Sequence, residues 1–248
     1  MKFAIIAAGE GSRLALEGVS APKPLVKVGG NCLLDRLIGI FMEHDAHEID
    51  VICNDLTPLV AAHLSDIKAN GMNGKRVPLK YIVKSTPSSM HSFYELSHLL
   101  ADEPFVLTTV DTIFLEDEFA EYLKAFDRAL RTDCDGVMGV TDYIDDEKPL
   151  YVKTDNSMQI TGFYDDNSMD CTYVSGGIYG LKPTAIETLK HCMQRGESRM
   201  RNFQRALVNE GKCMTAFNFS KILDIDHAAD IAKADRFLTE HAQKNMRE

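Results

Sequence analysis

Short apolar runs of strand length alternate with segments of helical period through residues 1–140, and that alternation dictates the class of fold. A chain that repeats strand, helix, strand lays its strands side by side in parallel and returns over the sheet by a helix. Phe3–Ala8, Asp50–Cys53, Leu79–Val83, Phe105–Val110 and Gly136–Val140 read as the strands. Phe3–Ala8 is apolar without interruption, the pattern of a strand buried on both faces, and it ends at Gly9. Leu33–Phe41, Pro58–Lys68, Met90–Leu100 and Glu116–Leu130 fill the intervals as helices.

After residue 140 the pattern is more mixed. Tyr151–Lys153 and Gln159–Tyr164 suggest short strands with a turn near Asp155, and Tyr173–Leu181 is a strand-like run holding Gly176 and Gly177. Helices over Pro183–Gln194 and Met200–Asn209, a strand over Met214–Phe219 and a closing helix over Ala228–Ala242 follow. No repeat, low-complexity segment or linker interrupts the chain, so one domain is expected.

Composition removes several functions. An apolar content of 45% and a charged content of 26% are those of a globular chain. No run reaches the ~20 apolar residues of a membrane-spanning helix, and the short apolar N-terminal run lacks the form of a signal peptide. These features predict a cytoplasmic protein with no membrane partner. The six cysteines form no CxxC pair and mostly lie in apolar runs, as free core thiols do, rather than in a disulfide framework or zinc site. A net charge of −10 argues against nucleic acid as a partner. Against that background, Lys2, Arg13, Lys23 and Lys27 meet only Glu10 and Glu17 within residues 1–30, which suggests a local anion site.

The segment Ala8-Gly9-Glu10-Gly11-Ser12-Arg13 leaves the first strand at its carboxyl end, where open α/β sheets bind ligands. Two glycines allow a sharp turn whose successive N–H groups can cradle phosphate, and Arg13 adds a charged fork suited to phosphate oxygens. A purely structural turn is the competing reading. The dinucleotide fingerprint GxGxxG fails at Leu14, and the P-loop pattern GxxxxGK[ST] is absent. Lys23, set between Pro22 and Pro24, sits on a stiff backbone that would present its ammonium group at small entropic cost. An exposed lysine in a Pro-rich loop is the alternative.

Asp111 closes the fourth strand, where a carboxylate projects toward the same crevice and offers a hard oxygen to Mg²⁺ bridging phosphates. It can equally cap or turn the chain before the acidic helix. In Leu223-Asp224-Ile225-Asp226-His227 an extended backbone would point Asp224 and Asp226 to one face, forming a metal cage with Asp111. Asp226 also directly precedes a helix, as an N-cap does. Ser88 and Ser89 stand at a helix start after the third strand, suited to capping or to contact with a base. Gly176 and Gly177 fit a strand bulge.

Taken together, AAGEGSRL followed by APKPLVKVGG resembles the signature of the sugar-phosphate nucleotidylyltransferase family, including its MobA-like and choline-phosphate cytidylyltransferase-like members. The resemblance implies a single Rossmann-like, three-layer α/β domain with a mostly parallel, mixed sheet over residues 1–248. Residues 1–140 would form its nucleotide-binding half and residues 141–248 its acceptor-binding half. It further implies that Ala8, Gly9, Gly11 and Ser12 hold a nucleoside triphosphate and that Arg13 and Lys23 are the catalytic basic pair. Asp111 becomes a Mg²⁺ ligand, joined by Asp226 with Asp224 as the second choice. Ser88 and Ser89 fall where small residues approach the base, and Gly176 and Gly177 match the acceptor-side strand.

Three departures leave base and acceptor open. Val110 replaces the small residue usual before the aspartate. Met90-His91-Ser92-Phe93-Tyr94 is similar to a cytidylyltransferase-like stretch but lacks its asparagine. Lys153 lies near the place of a glutamate that holds sugar hydroxyls. The expected reaction is transfer of a nucleoside monophosphate from an NTP to a sugar 1-phosphate or phospho-alcohol with release of pyrophosphate, as in an NDP-sugar pyrophosphorylase. A nucleotide-sensing domain that kept the fold and lost turnover competes with it. A dinucleotide-dependent oxidoreductase fits less well, because the glycine fingerprint fails.

Overall fold

The computed structural model describes residues 1–245. Both halves of the sequence contribute to one nine-stranded sheet. β1 (Lys2–Ala7), β2 (Glu48–Cys53), β3 (Leu79–Val83) and β4 (Phe105–Thr109) run parallel in the order β3-β2-β1-β4. The sheet then turns mixed with β5 (Gly136–Thr141), β6 (Tyr151–Thr154), β7 (Ile160–Tyr164), β8 (Tyr173–Leu181) and β9 (Met214–Phe219). β8 pairs antiparallel with both β4 and β5, β9 runs parallel to β5, and the β6–β7 hairpin joins the start of β8. The helices are α1 (Ser12–Leu16), α2 (Leu33–Glu43), α3 (Pro58–Asn70), α4 (Ser89–Leu100), α5 (Glu116–Leu130), α6 (Ala185–Gln194), α7 (Met200–Asn209) and α8 (Ala228–Asn245). This is a Rossmann-like α/β fold with helices flanking a mixed, mostly parallel sheet.

The apolar run of β1 finds its explanation in two cores. Phe3, Ile5 and Ala7 enter one cluster, while Ala4, Ile6 and Ala8 enter the other, because successive side chains point to opposite faces. Phe3 stacks on Phe41 of α2 with ring centroids 4.4 Å apart. Burying a side chain of that size contributes about 2–3 kcal/mol. The periodic elements all stand within a few residues of their expected bounds. The short α1 and two ribbons of paired dipeptides were not legible.

One of those ribbons positions the site. Thr112–Ile113, just after Asp111, pairs antiparallel with Leu223–Asp224, and the Ile225 N–H donates to the Asp111 carbonyl at 3.1 Å. A segment distant in sequence is thereby laid against the end of β4. Asp50, in the middle of β2, is a carboxylate enclosed within the sheet. It is fully buried and its carboxylate oxygens have no hydrogen-bond partner. Burial, reinforced by the charge of Glu48, pushes its pKa up to about 7. Among the described residues no helix is long and apolar enough to cross a membrane, and all six cysteines are free.

Candidate active site

Ile6 is in register with Thr109 and Ala7 with Cys53, so the chain leaves β1, β4 and β2 at one level of the sheet. The glycine loop, Asp111 and Asn54 therefore meet. Asn54 is buried and ties the loop down, donating to the carbonyls of Ala8 and Gly9, each at 3.2 Å. Its own Oδ1 accepts from the Thr57 N–H and hydroxyl at 3.0 and 2.7 Å. Gly11 has φ +63°, and a Cβ there would stand 2.9 Å from the Lys23 Cβ. Glycine is required twice over, for the left-handed backbone and for the close approach of the Lys23 turn.

Lys23 opens a one-turn 3-10 helix (Lys23–Leu25), and its Nζ lies 2.5 Å from Asp111 Oδ2 and 2.8 Å from Asp226 Oδ1. Arg13 Nη1 reaches the other oxygen of Asp226 at 3.0 Å. The Lys23 side chain is 11% exposed and that of Arg13 57%, so one cation is enclosed and the other faces solvent. Burial opposes the charge on Lys23, but Asp111 and Asp226 outweigh it and hold its pKa above the ordinary lysine value. Burial also opposes the charge of Asp226, where the hydrogen bond from Lys23 wins and leaves the pKa below the usual carboxylate value. Asp224 differs. It opens to the cleft while protein crowds its other sides, and that crowding, with the charge of Asp111, raises its pKa. Its Oδ1 accepts from the Thr112 hydroxyl at 3.3 Å.

Two adjoining cavities surround this cluster. The larger, about 360 Å³, is lined by the glycine loop, Lys23, Thr86–Ser89, Ser92 and Asp111. The smaller, about 200 Å³, lies between the end of β5, the start of β8 and the segment 222–230. Arg13 and Asp226 line both, so they form the border.

Ala8, Gly9, Gly11, Ser12, Arg13, Lys23, Ser88, Ser89, Asp111 and Asp226 all line the larger cavity. Asp224 and Gly176 line the smaller one. Gly177 lines neither. It has φ +72°, and a Cβ there would meet the hydroxyls of Thr112 and Thr109 at 2.9 and 3.0 Å. The bulge between Ser175 and Ile178 brings β8 this close to the end of β4. Ser88 caps α4, its Oγ accepting from the His91 N–H at 3.4 Å, while remaining on the cavity wall.

Asp226 does not cap the last helix. Its carboxylate is drawn to Lys23 and Arg13, and Asp230 Oδ2 accepts from the Asp226 and His227 N–H groups instead, at 3.1 and 2.8 Å. Val110 is buried at the larger cavity, rather than beside the smaller one. Lys153 lines neither cavity and donates to the carbonyls of Met169 and Asp170 at 2.8 and 3.1 Å.

Sequence reasoning missed Asn54, although a polar residue ending an apolar strand beside two other strand-end loops was a usable signal. It also missed most of the smaller cavity's wall: Tyr143, Asp145, Asp146, Glu147, His227 and Asp230. The acidic run after β5 marks part of that wall. His227 gives no such signal, because only the fold sets its Nδ1 2.6 Å from Glu17 Oε1, a contact that raises the imidazole pKa.

The family described as nucleotidyl transferase matches residues 2–241 of the chain. Over 168 residues, 60% of this chain, the sequence is 27% identical to the CMP-5'-(3-aminopropyl)phosphonate synthase of Streptomyces rubellomurinus. That stretch spans 25% of the relative's own length. The fold superposes on a Bacillus anthracis chain assigned as a glucose-1-phosphate thymidylyltransferase and crystallised with sucrose, with a TM-score of 0.81 and 18% identity, covering 96% of this chain and 94% of that one. It also superposes on the inositol-1-phosphate CTP transferase of T. maritima, with a TM-score of 0.72 and 18% identity, covering 94% and 95%.

Proposed function

The chain belongs to the nucleotidyl transferase family, and from that premise we propose that it moves a nucleoside monophosphate from an NTP to a small acceptor ending in a phosphate or phosphonate, releasing pyrophosphate. The observation that carries this reading is the pair of cavities sharing Arg13 and Asp226 beside the Lys23–Asp111 contact. A triphosphate in the larger cavity and an acceptor in the smaller one would bring their reacting phosphorus and oxygen together at that border.

An acceptor oxygen attacks the α-phosphorus, a new P–O bond forms, and the bond to pyrophosphate breaks. Acceptor phosphates have a second pKa of about 6, so the nucleophile is ionised at neutral pH and no general base is needed. The obstacle is the repulsion between two polyanions. Lys23 and Arg13 supply fixed positive charge, and the glycine loop supplies backbone N–H groups that need no reorganisation as charge moves. Asp111 and Asp226, with Asp224 second, would hold Mg²⁺ through hard oxygen donors, and Asp111 and Asp226 both contact the Lys23 ammonium. Bound there, Mg²⁺ would offset phosphate charge. Ser88, Ser89 and the start of α4 would face the base.

The wall of the smaller cavity supports an acceptor with a cationic end. Asp145, Asp146, Glu147 and Asp230 gather there, and Lys233 touches only Asp145 and Asp230 among them. An ammonium group remote from the phosphate would be attracted, whereas a second anionic group would be repelled. The Streptomyces relative, named for a CMP ester of an aminopropylphosphonate, supports the same acceptor class and CTP as donor. A sugar 1-phosphate is the second reading, favoured by carboxylates able to accept from sugar hydroxyls. A cytoplasmic setting belongs to this reading, since it supplies NTPs and keeps cysteines reduced.

The test crosses four NTPs with aminoalkyl phosphates, aminoalkyl phosphonates and sugar 1-phosphates in a pyrophosphate-release assay. CTP with an aminoalkyl acceptor should turn over fastest. Faster turnover with sugar 1-phosphates would overturn the cationic acceptor. NTP binding by calorimetry without turnover for any pair would overturn the transfer reaction itself.

A further inference from the structure

Away from both cavities, three metal-ligating side chains converge where α2 begins beside α3. Cys32 caps α2, its Sγ accepting from the Asp35 N–H at 3.4 Å. His63, from α3, places Nε2 2.6 Å from Asp35 Oδ1 and 3.9 Å from Cys32 Sγ. The three ligand atoms lie within 4.8 Å of one another, and among the described residues this is the cluster of Cys, His and acidic groups that closes so tightly. The thiol is buried, at 7% exposure, while the Asp35 and His63 side chains are 29% and 31% exposed.

A nucleophilic relay does not explain the arrangement. A Cys–His–acid relay uses one ring nitrogen for the thiol and the other for the acid. Here Nε2 addresses both partners. Sulfur, nitrogen and oxygen thus face one point, as ligands of a borderline-soft cation do. We propose that Cys32, Asp35 and His63 form a site for a divalent zinc-class ion, with solvent completing its coordination. Tetrahedral bonds of about 2.0–2.3 Å require the His63–Asp35 contact to widen by less than about 1 Å. Side-chain rotation at a half-exposed site supplies that movement.

The ion would tie α3 to the start of α2, which is reached from the Lys23 turn through the short hairpin of Lys27–Val28 with Asn31–Cys32. Burial pushes the Cys32 thiol up to about 12, so without a metal it is protonated and inert. Metal binding displaces that proton to solvent and creates the thiolate ligand.

Cobalt titration of EDTA-treated protein tests the site, because a thiolate on Co²⁺ gives an intense near-ultraviolet charge-transfer band that carboxylate sites lack. We expect one equivalent of Co²⁺ to produce the band and an excess of Zn²⁺ to abolish it. Cys32→Ser should remove it, and His63→Ala, at a position without a capping role, should weaken cobalt binding at least about tenfold. Asp111→Asn should leave it intact. Absence of the band in the parent protein, or unchanged binding in His63→Ala, would overturn the proposal. So would persistence of the band in Cys32→Ser.

Discussion

The two cavities are made of different materials. The larger is walled by strand-end loops of the parallel half, so backbone groups, two glycines and small hydroxyl residues dominate, with Lys23 and Arg13 as its cations. The smaller is walled by side chains from the mixed half, with carboxylates in excess and one aromatic residue, Tyr143. On the proposed reading the larger cavity takes the triphosphate, which presents the same chemistry in every NTP, so main-chain N–H groups and fixed cations would be enough to hold it. An acceptor differs from enzyme to enzyme, and discrimination needs side chains. The difference teaches where to look for specificity: at the end of β5 and in the segment 222–230, rather than in the glycine loop.

The sharpest way to break this division is at the border. Lys23→Ala and Asp111→Ala should each lower turnover about a thousandfold while circular dichroism and Tm report an intact fold. Near-normal rates in both would mean that the cavities do not share a reaction. A change within the larger cavity comes next. Gly11→Ala introduces strain at φ +63° and a contact with the Lys23 side chain, and should cost about a hundredfold in kcat/KM for the NTP. A loss seen only as a higher acceptor KM would reverse the assignment of the two cavities.

The smaller cavity predicts a gentler effect. Asp146→Asn combined with Glu147→Gln should raise the KM of a cationic acceptor about tenfold and leave the NTP KM unchanged, since partly solvated carboxylates are screened. Steady-state kinetics with each substrate varied in turn separates these outcomes.

The smallest effect concerns Asp50, a carboxylate of the parallel half that faces neither cavity. Its folded pKa of about 7 exceeds the unfolded value of about 3.9, so folding favours the protonated form. Stability associated with it is therefore complete below about pH 4 and is lost as the pH rises toward 7. Asp50→Asn should raise Tm by several degrees at pH 8, with the gap narrowing at pH 5 and turnover unchanged. A gap independent of pH would show that Asp50 is not protonated on folding.

Most of the larger cavity was legible in the sequence, because its parts are local. The glycine loop is contiguous, Lys23 follows it closely between two prolines, and Asp111 ends a strand recognisable by itself. Parallel pairing then forces those strand ends to one side. Asn54 obeys the same logic and could have been found. The alternative reading of Asp226 as an N-cap failed for a physical reason: contacts with Lys23 and Arg13 compete with capping, and Asp230 and Glu17 serve the helix start, Glu17 Oε2 accepting from the Ala228 N–H at 2.6 Å. The smaller cavity was nearly invisible, since its carboxylates come from segments whose polar residues read as ordinary surface.

By itself the sequence determined the strands, the helices, the class of sheet and the glycine loop at the end of β1, because period and local backbone restriction act over neighbouring residues. Only the tertiary structure decided that Asp226 meets Lys23, that Asp224 turns to Thr112 and that β8 folds its glycines against the end of β4. Those pairings close chain loops of many tens of residues, 203 in the case of Lys23 and Asp226. The two aspartates are held in register by the ribbon of Thr112–Ile113 with Leu223–Asp224, whose two-residue partners carry no periodicity to be read in advance, while β8 pairs with β4 directly.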